Sequence, residues 1–256
     1  MSENIGSALE RAYRLFGDRE AVVDGGLRWS YRELRDRVAA CDASLDALGL
    51  AAGDVVAVLA LNSAAHLVSW LAIPRSGRVL NDLNVRLAPA ELEFIVNDSR
   101  ARALIVDGAF LELGRKLADA CEVVEHLIYA GAGATPDGCL SLTKLCEVAG
   151  GPPATVDSDA VAGIFYTGGT TGLPKGVMLT HRNLVANAKH VLILFHYDET
   201  DSYLQAAPMF HLADGASTLS LTWVGGKHVI IPAFEPALWL QTVQAEQVSC
   251  ACSFRR

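Results

Sequence analysis

"DVVAVLALNSAAHLVSWLAI" (54–73) is the most membrane-like stretch of the chain, and its reading decides the fold class. A membrane span needs about 20 mostly apolar residues. Here Asn62, Ser63, His66 and Ser69 interrupt the run. A strand followed by a helix accommodates those interruptions, so "DVVAVLAL" reads as a buried strand and "SAAHLVSWLAIPRSG" as a helix.

Upstream, Ser7-x-x-Glu10 and Ser30-x-x-Glu33 both have capping-box spacing, in which each side chain satisfies the other's orphan amide. After the second box, Leu34, Val38, Cys41, Leu45 and Leu48 recur at helical spacing, and Gly49 offers a left-handed stop. "SYRELRDRVAACDASLDALG" is therefore an amphipathic helix. Downstream, "RVLNDLN" reads as a short strand and "PAELEFIVNDS" as a helix opened by Pro89. "ARALIVDG", "FLELGRKLADAC" and "VEHLIYAG" read as strand, helix and strand. This alternation predicts an α/β fold of βαβ units, with largely parallel sheets covered by helices. "GAGATPDGCLSLTKL" (131–145) reads as a loop. Gly131 and Gly133 follow a strand there, but Pro136 takes the third glycine's place and no helix begins, which excludes a dinucleotide fingerprint. The Pro/Gly-rich "GGPPATVDSDA" (150–160) marks a boundary. We expect a first α/β subdomain over residues 1–158 and the start of a second over 159–256.

The 256 residues suffice for a substantial core. Net charge −8 argues against a nucleic-acid partner found by electrostatics alone. "MSENIGSALERAYRLFGDRE" has neither the basic region nor the apolar run of a secretory signal. Six cysteines (41, 121, 139, 146, 250, 252) form no Cys-x-x-Cys pair and no repeated spacing with histidine. That disfavours structural zinc and suits a reducing cytoplasm, with Cys41 and Cys121 as small core residues.

"YTGGTTGLPKGVMLTH" (166–181) carries the chemistry. "AVAGIFYT" before the loop reads as a buried strand and "GVMLT" after it as a second strand, with Thr180 capping the helix "HRNLVANAKHVLILF". A loop from strand to strand differs from a Walker A loop, which enters a helix. Pro174 also stands for that motif's second glycine, and Gly176 for its metal-binding Ser/Thr. Phosphate chemistry is nonetheless suggested. Gly168, Gly169 and Gly172 permit unusual backbone angles, so successive amides can turn inward as an anion nest. Thr167, Thr170 and Thr171 add hydroxyl donors, Lys175 adds a cation, and Pro174 stiffens the stretch presenting it. Composition alone leaves open a glycine-rich turn with solvated threonines and one surface lysine.

The ordered string, with "THRNL" after it, resembles the phosphate loop of the adenylate-forming (AMP-binding) superfamily. That superfamily includes acyl-CoA synthetases, peptide-synthetase adenylation domains and luciferases. Gly168 stands where the commonest form has serine, a variant associated with acyl-CoA synthetases. The resemblance begins at "GDREAVVDGGLRWSYREL" and covers nearly the whole chain, with Asp82 where proline is more frequent. "PMFHLADG" (208–215) resembles a further motif near the acyl group and the route of CoA, and its Phe210–His211 pair favours a CoA ligase. The resemblance implies a reaction in which a carboxylic acid and ATP give an acyl-adenylate and pyrophosphate, after which CoA displaces AMP. ATP, Mg²⁺ and CoA would be required. Thr167, Gly168, Gly169, Thr170, Thr171, Gly172 and Lys175 would hold the β- and γ-phosphates, with Lys175 and Thr171 stabilising charge. Phe210, His211 and Gly215 would line the acyl/CoA pocket. Metal ligands, the adenine pocket and a mobile C-terminal domain would lie beyond residue 256.

The partners implied are small molecules, with no nucleic acid and no transmembrane segment, in the cytoplasm. An inert or merely phosphate-binding fragment, or an amino-acid-adenylating or luciferase-like enzyme, are the alternatives. "CACSFRR" departs from the family's continuation, as a frameshift or truncation would, a genuine short C-terminus being the other reading. Truncation would uncover a sheet edge near "VGGKHVIIPAF", and poor solubility or association is then expected.

Overall fold

The computed structural model describes residues 4–168 and 172–252. α1 (Ile5–Phe16), β1 (Glu20–Asp24), β2 (Leu27–Ser30) and α2 (Tyr31–Ala47) precede the decisive stretch. That stretch forms β3 (Val55–Leu59) and α3 (Ala64–Ala72), as its polar interruptions imply, and a 3₁₀ turn follows over Ile73–Ser76. β4 (Val79–Asp82), α4 (Pro89–Asp98), β5 (Ala101–Val106), α5 (Leu111–Ala120) and β6 (His126–Tyr129) continue the alternation. The segment expected to be loop throughout, 131–145, contains a two-residue β7 (Leu140–Ser141) and a four-residue α6 (Leu142–Leu145). The remainder comprises β8 (Val161–Thr167), β9 (Lys175–Thr180), α7 (His181–Phe195), β10 (Ser202–Gln205), α8 (Leu212–Val224), β11 (Lys227–Ile230), α9 (Pro236–Glu246) and β12 (Cys250–Ala251).

Local chemistry sets the helix ends. At α2, Ser30 Oγ accepts from the Glu33 amide at 3.3 Å, and the Glu33 carboxylate accepts from the Ser30 amide at 2.7 Å. Gly49 has φ +78°, the left-handed stop its position requires. The first box differs from expectation. Asn4, not Ser7, caps α1, with the Ser7 amide donating to Asn4 Oδ1 at 3.1 Å. Asparagine ranks with serine as a cap, so the helix begins one turn earlier. Glu10, freed from capping, accepts instead from Arg75 at 3.1 Å.

One sheet runs β7-β6-β5-β3-β4-β8-β9, parallel except for β9. The other runs β12-β10-β11-β1-β2, parallel except for β2. Because side chains alternate across a strand, each sheet feeds two cores. Val56, Val58 and Ile105 join Leu34, Leu67 and Leu71 in the central core. Val55, Ala57, Leu59 and Leu104 face α4 and α5 through Leu92, Ile95, Val96 and Leu117. In the second sheet Val22 and Ile230 reach the central core, while Val23, Leu204 and Val229 pack against Trp239 and Val243. The product is five layers, helix–sheet–helix–sheet–helix, with α1, α2, α3, α7 and α8 in the middle.

Both sheets draw strands from either side of residue 158. β8 and β9 complete the first sheet, and the β1–β2 hairpin edges the second. This exchange corrects the expected position of "VGGKHVIIPAF": β11 is an interior strand, parallel to β10 on one side and β1 on the other. Nothing in the order of the sequence reveals that an N-terminal hairpin inserts beside it. Apolar surface is bare at Phe234, which ends that stretch, and at Leu240 on α9, as well as at Ile193, Leu194 and Phe195 closing α7 and at Leu173, Val177 and Met178 on the β8–β9 hairpin. Among the described residues no helix is long and apolar enough to cross a membrane.

Candidate functional site

The two strands flanking the glycine–threonine string, β8 and β9, pair as an antiparallel hairpin. β8 and β9 pair from Val161↔Thr180 to Thr167↔Lys175, with Gly168 and residues 172–174 beyond the last register pair. Two contacts hold the hairpin's position. The Tyr166 hydroxyl donates to Asp98 Oδ2 on α4 at 2.6 Å. Gly176 lies so close under Ile164 and Tyr166 that a Cβ would stand 2.8 Å from Ile164 Cγ2. At the foot of α7, Thr180 Oγ1 accepts from the Asn183 amide at 3.2 Å, the cap its sequence position suggests.

Thr167, Gly168, Gly172 and Lys175 are exposed on this turn. No described residue forms an ion pair with Lys175, so its ammonium is open to an anion. Gly169, Thr170 and Thr171 lie outside the described residues. Among the described residues, a Cβ at Gly168 or Gly172 would meet nothing within 4 Å.

Phe210 and His211 lie between β10 and α8. Asn62, just past β3, fixes this segment: its Nδ2 donates to the Gln205 and Ala207 carbonyls at 3.2 and 2.7 Å, and its Oδ1 accepts from the Met209 amide at 2.8 Å. Phe210 is buried and its ring centroid is 4.5 Å from that of His211. His211, the N-cap residue of α8, is exposed. Partial desolvation and the nearby Arg86 guanidinium lower its pKa, against the opposing charge of Asp82. Asp82 ends β4, the neighbour of β8. The hairpin turn and the Phe210–His211 segment thus both border the C-terminal end of β4, the side of a parallel sheet where ligands bind. Gly215 is placed within α8, where a Cβ would stand 2.8 Å from Trp70 Cζ2; the buried indole occupies the space beside it.

Sequence reasoning missed the buried polar groups beneath this surface. His66 Nε2 lies 3.0 Å from both Asp82 oxygens, and its Nδ1 lies 3.2 Å from the Leu61 carbonyl. Burial disfavours the charged imidazole, but Asp82's charge and hydrogen bond outweigh it and raise the His66 pKa. Tyr203 donates to Asp214 Oδ1 at 2.8 Å, while Asp214 Oδ2 has no partner among the described residues. Burial pushes the Asp214 carboxyl up to about 7, against the Tyr203 hydrogen bond and the charge of His66. The available signal was the polar interruption of 54–73, whose Asn62 and His66 both hold this surface in place.

Among the described residues no group of three or more His, Cys, Asp or Glu is gathered to hold a metal ion. The Mg²⁺ implied by the resemblance has no acidic cage in the described part of the chain. A cavity of about 580 Å³ lies among Val55, Val79, Val161 and Met178, near the opposite ends of β3, β4 and β8. It is not the candidate site.

The sequence profile of the AMP-binding enzyme family matches residues 9–254. The chain is 35% identical over 254 residues to a long-chain-fatty-acid–CoA ligase of Thermus thermophilus, covering 96% of this chain and 46% of that protein. It is 34% identical over 250 residues to a feruloyl-CoA synthase of an Amycolatopsis species, covering 97% and 48%. Among solved structures, the inhibitor-bound N-terminal domain of FACL13 from Mycobacterium tuberculosis superposes with TM-score 0.87 at 28% identity, over 97% of this chain and 62% of that one. The chain spans about half the length of the curated relatives it matches. With residues 9–254 inside the profile, and strand, turn and helix arranged as described, the chain belongs to the AMP-binding enzyme family.

Proposed function

We propose that this chain carries the phosphate-gripping part of an ATP-dependent carboxylic acid–CoA ligase, which forms an acyl-adenylate and then a thioester. The observation that carries the reading is the exposed Lys175, without an ion-pair partner among the described residues, where β8 ends and β9 begins at the ligand-binding side of a parallel sheet. Adenylation must bring a carboxylate onto the α-phosphorus of a polyanion. Donors fixed around the β- and γ-phosphates lower the repulsion and stabilise the departing pyrophosphate. Thr167, Thr170 and Thr171 would supply hydroxyls, Gly168, Gly169 and Gly172 amides, and Lys175 the charge. Phe210, His211 and Gly215 would border the acyl and CoA groups. The relatives' acids do not identify this chain's own: a long-chain fatty acid and ferulate belong to relatives of nearly equal identity.

ATP titrated into the intact chain and into Lys175→Ala and Thr171→Ala tests the reading. A charged hydrogen bond contributes about 1.5–3 kcal/mol, so Lys175→Ala should weaken binding by roughly tenfold or more, and Thr171→Ala by less. Unchanged affinity in both variants would remove these residues from the site. Pyrophosphate exchange over a panel of carboxylic acids, with products analysed with and without CoA, tests the chemistry.

A further inference from the structure

The corner between β3 and α3 is tied to more of the molecule than its length suggests. The Leu61 amide donates to Asp107 Oδ2, just past β5 in the same sheet, at 2.8 Å. The Asn62 amide donates to the Pro232 carbonyl beyond β11 at 3.3 Å, and the Ala64 amide donates to Asp24 Oδ2 at the end of β1 at 2.8 Å. The side chain of Asn62 adds the segment after β10. β1, β10 and β11 all belong to the other sheet. A corner of the first sheet is thus pinned to the C-terminal ends of strands in the second.

Asn62 makes most of this connection. It is buried, and both Nδ2 hydrogens and Oδ1 are engaged: Gln205 and Ala207 accept through their carbonyls, and the Met209 amide donates. A carbonyl only accepts and an amide only donates, so the two ends of the side chain cannot be interchanged. Serine would offer one donor here, and an ionised aspartate none. Met209 leads directly into Phe210 and His211, so the residue that closes β3 sets where those two stand.

We propose that Asn62 is a positioning residue for the acyl and CoA half of the site, holding Phe210 and His211 in register with the strand ends of the first sheet. This role rests on the ligase reading and concerns one half of the site. Lys175 belongs to β9, and among the described residues no hydrogen bond of Asn62 reaches β8 or β9. Loss of the Asn62 side chain therefore frees 206–211 and leaves the phosphate half in place. In a reaction that depends on proximity, a misplacement of about 1 Å costs roughly a hundredfold in rate.

Wild type, Asn62→Ala and Asn62→Asp are compared in three measurements. Hydrogen–deuterium exchange over 206–211 should be faster by roughly tenfold or more in Asn62→Ala, with 161–167 and 175–180 unchanged. Asn62→Asp keeps the acceptor for Met209 and loses the donors, so its exchange should lie between the other two. By NMR titration, the lowered pKa of His211 should return toward its ordinary value in Asn62→Ala. In pyrophosphate exchange, Asn62→Ala should raise KM for the acid roughly tenfold or more and keep KM for ATP within about twofold. An inactive wild type, with the first two results as expected, would remove the ligase reading and leave the hold of Asn62 on Phe210 and His211 standing. Unchanged exchange over 206–211 would overturn the proposal. So would an equal rise in both KM values, or uniformly faster exchange in both variants, the mark of an asparagine that only stabilises the fold.

Discussion

His66 shows how much one pair of distances fixes. The Leu61 carbonyl only accepts, so Nδ1 must carry a hydrogen. Nε2 faces both Asp82 oxygens at 3.0 Å, so one further proton lies between the ring and the carboxylate. The pair is fully buried and holds that proton out of water. In Asp82→Asn the amide donates to a neutral Nε2, and every polar atom of His66 keeps a partner. In Asp82→Ala, Nε2 is stranded, and losing one partner of a buried pair costs about 3–5 kcal/mol. Urea unfolding should therefore rank Asp82→Ala far below Asp82→Asn. Equal losses would show that the proton is elsewhere. The pair was only half legible. In the sequence, His66 interrupts an apolar run and Asp82 replaces a more frequent proline, but nothing links positions sixteen residues apart until α3 folds back on β4. Ser63 was easier in principle: its hydroxyl accepts from the His66 amide at 3.1 Å, the N-cap expected where a strand hands over to a helix.

Elements with a strong period were legible, and those set by tertiary pairing were not. α2 declared both ends through Ser30, Glu33 and Gly49. β7 and α6 are too short to show any period, and they exist because β6 offers an edge and α2 offers a face. β11 was placed wrongly because only the fold inserts the β1–β2 hairpin beside it. β9 is the exposed element with a physical consequence. It edges the longer sheet, and its neighbours Val177 and Met178, which point to opposite faces, are 43% and 66% exposed. A flat apolar edge, bare on both sides, invites pairing with another chain. We expect this chain to associate as its concentration rises in sedimentation velocity, and Met178→Lys to reduce that association, since edge lysines oppose strand addition. A wild-type monomer at every concentration would count against this role for β9.

At the scale of the molecule, the alternation of strands and helices announced an α/β fold, but the five-layer exchange of strands across residue 158 rests on contacts between distant segments. The glycine–threonine string was legible as a candidate site by composition and order. Its support by Tyr166 was not, nor was the hold of Asn62 on the Phe210–His211 segment, because each acts across the fold. The buried titratable groups give the molecule a pH dependence that follows from the same packing. His181 accepts from the Ile5 amide through Nδ1 at 3.3 Å, and burial lowers it to about 4. His228 accepts from Gln205 through Nδ1 at 3.0 Å, donates to Thr222 through Nε2 at 3.1 Å, and is lowered by burial to about 3. Both are neutral when folded and titrate near 6.5 when unfolded. Between pH 5 and 6 they take up two protons on unfolding. Asp214, held protonated up to about 7 in the fold, releases one. The net uptake of one proton makes stability rise with pH by up to about 1.4 kcal/mol per unit. The raised pKa of His66 acts in the opposite sense: its contribution is complete below about 6.5 and is lost as pH climbs through the folded value. Urea midpoints should therefore increase from pH 5 to 6 and peak near neutrality. His228→Gln removes one of the two protons taken up and should flatten the rise. His181→Asn, on α7 rather than β11, should do the same independently. Both variants keeping the wild-type slope would place the titrating groups elsewhere.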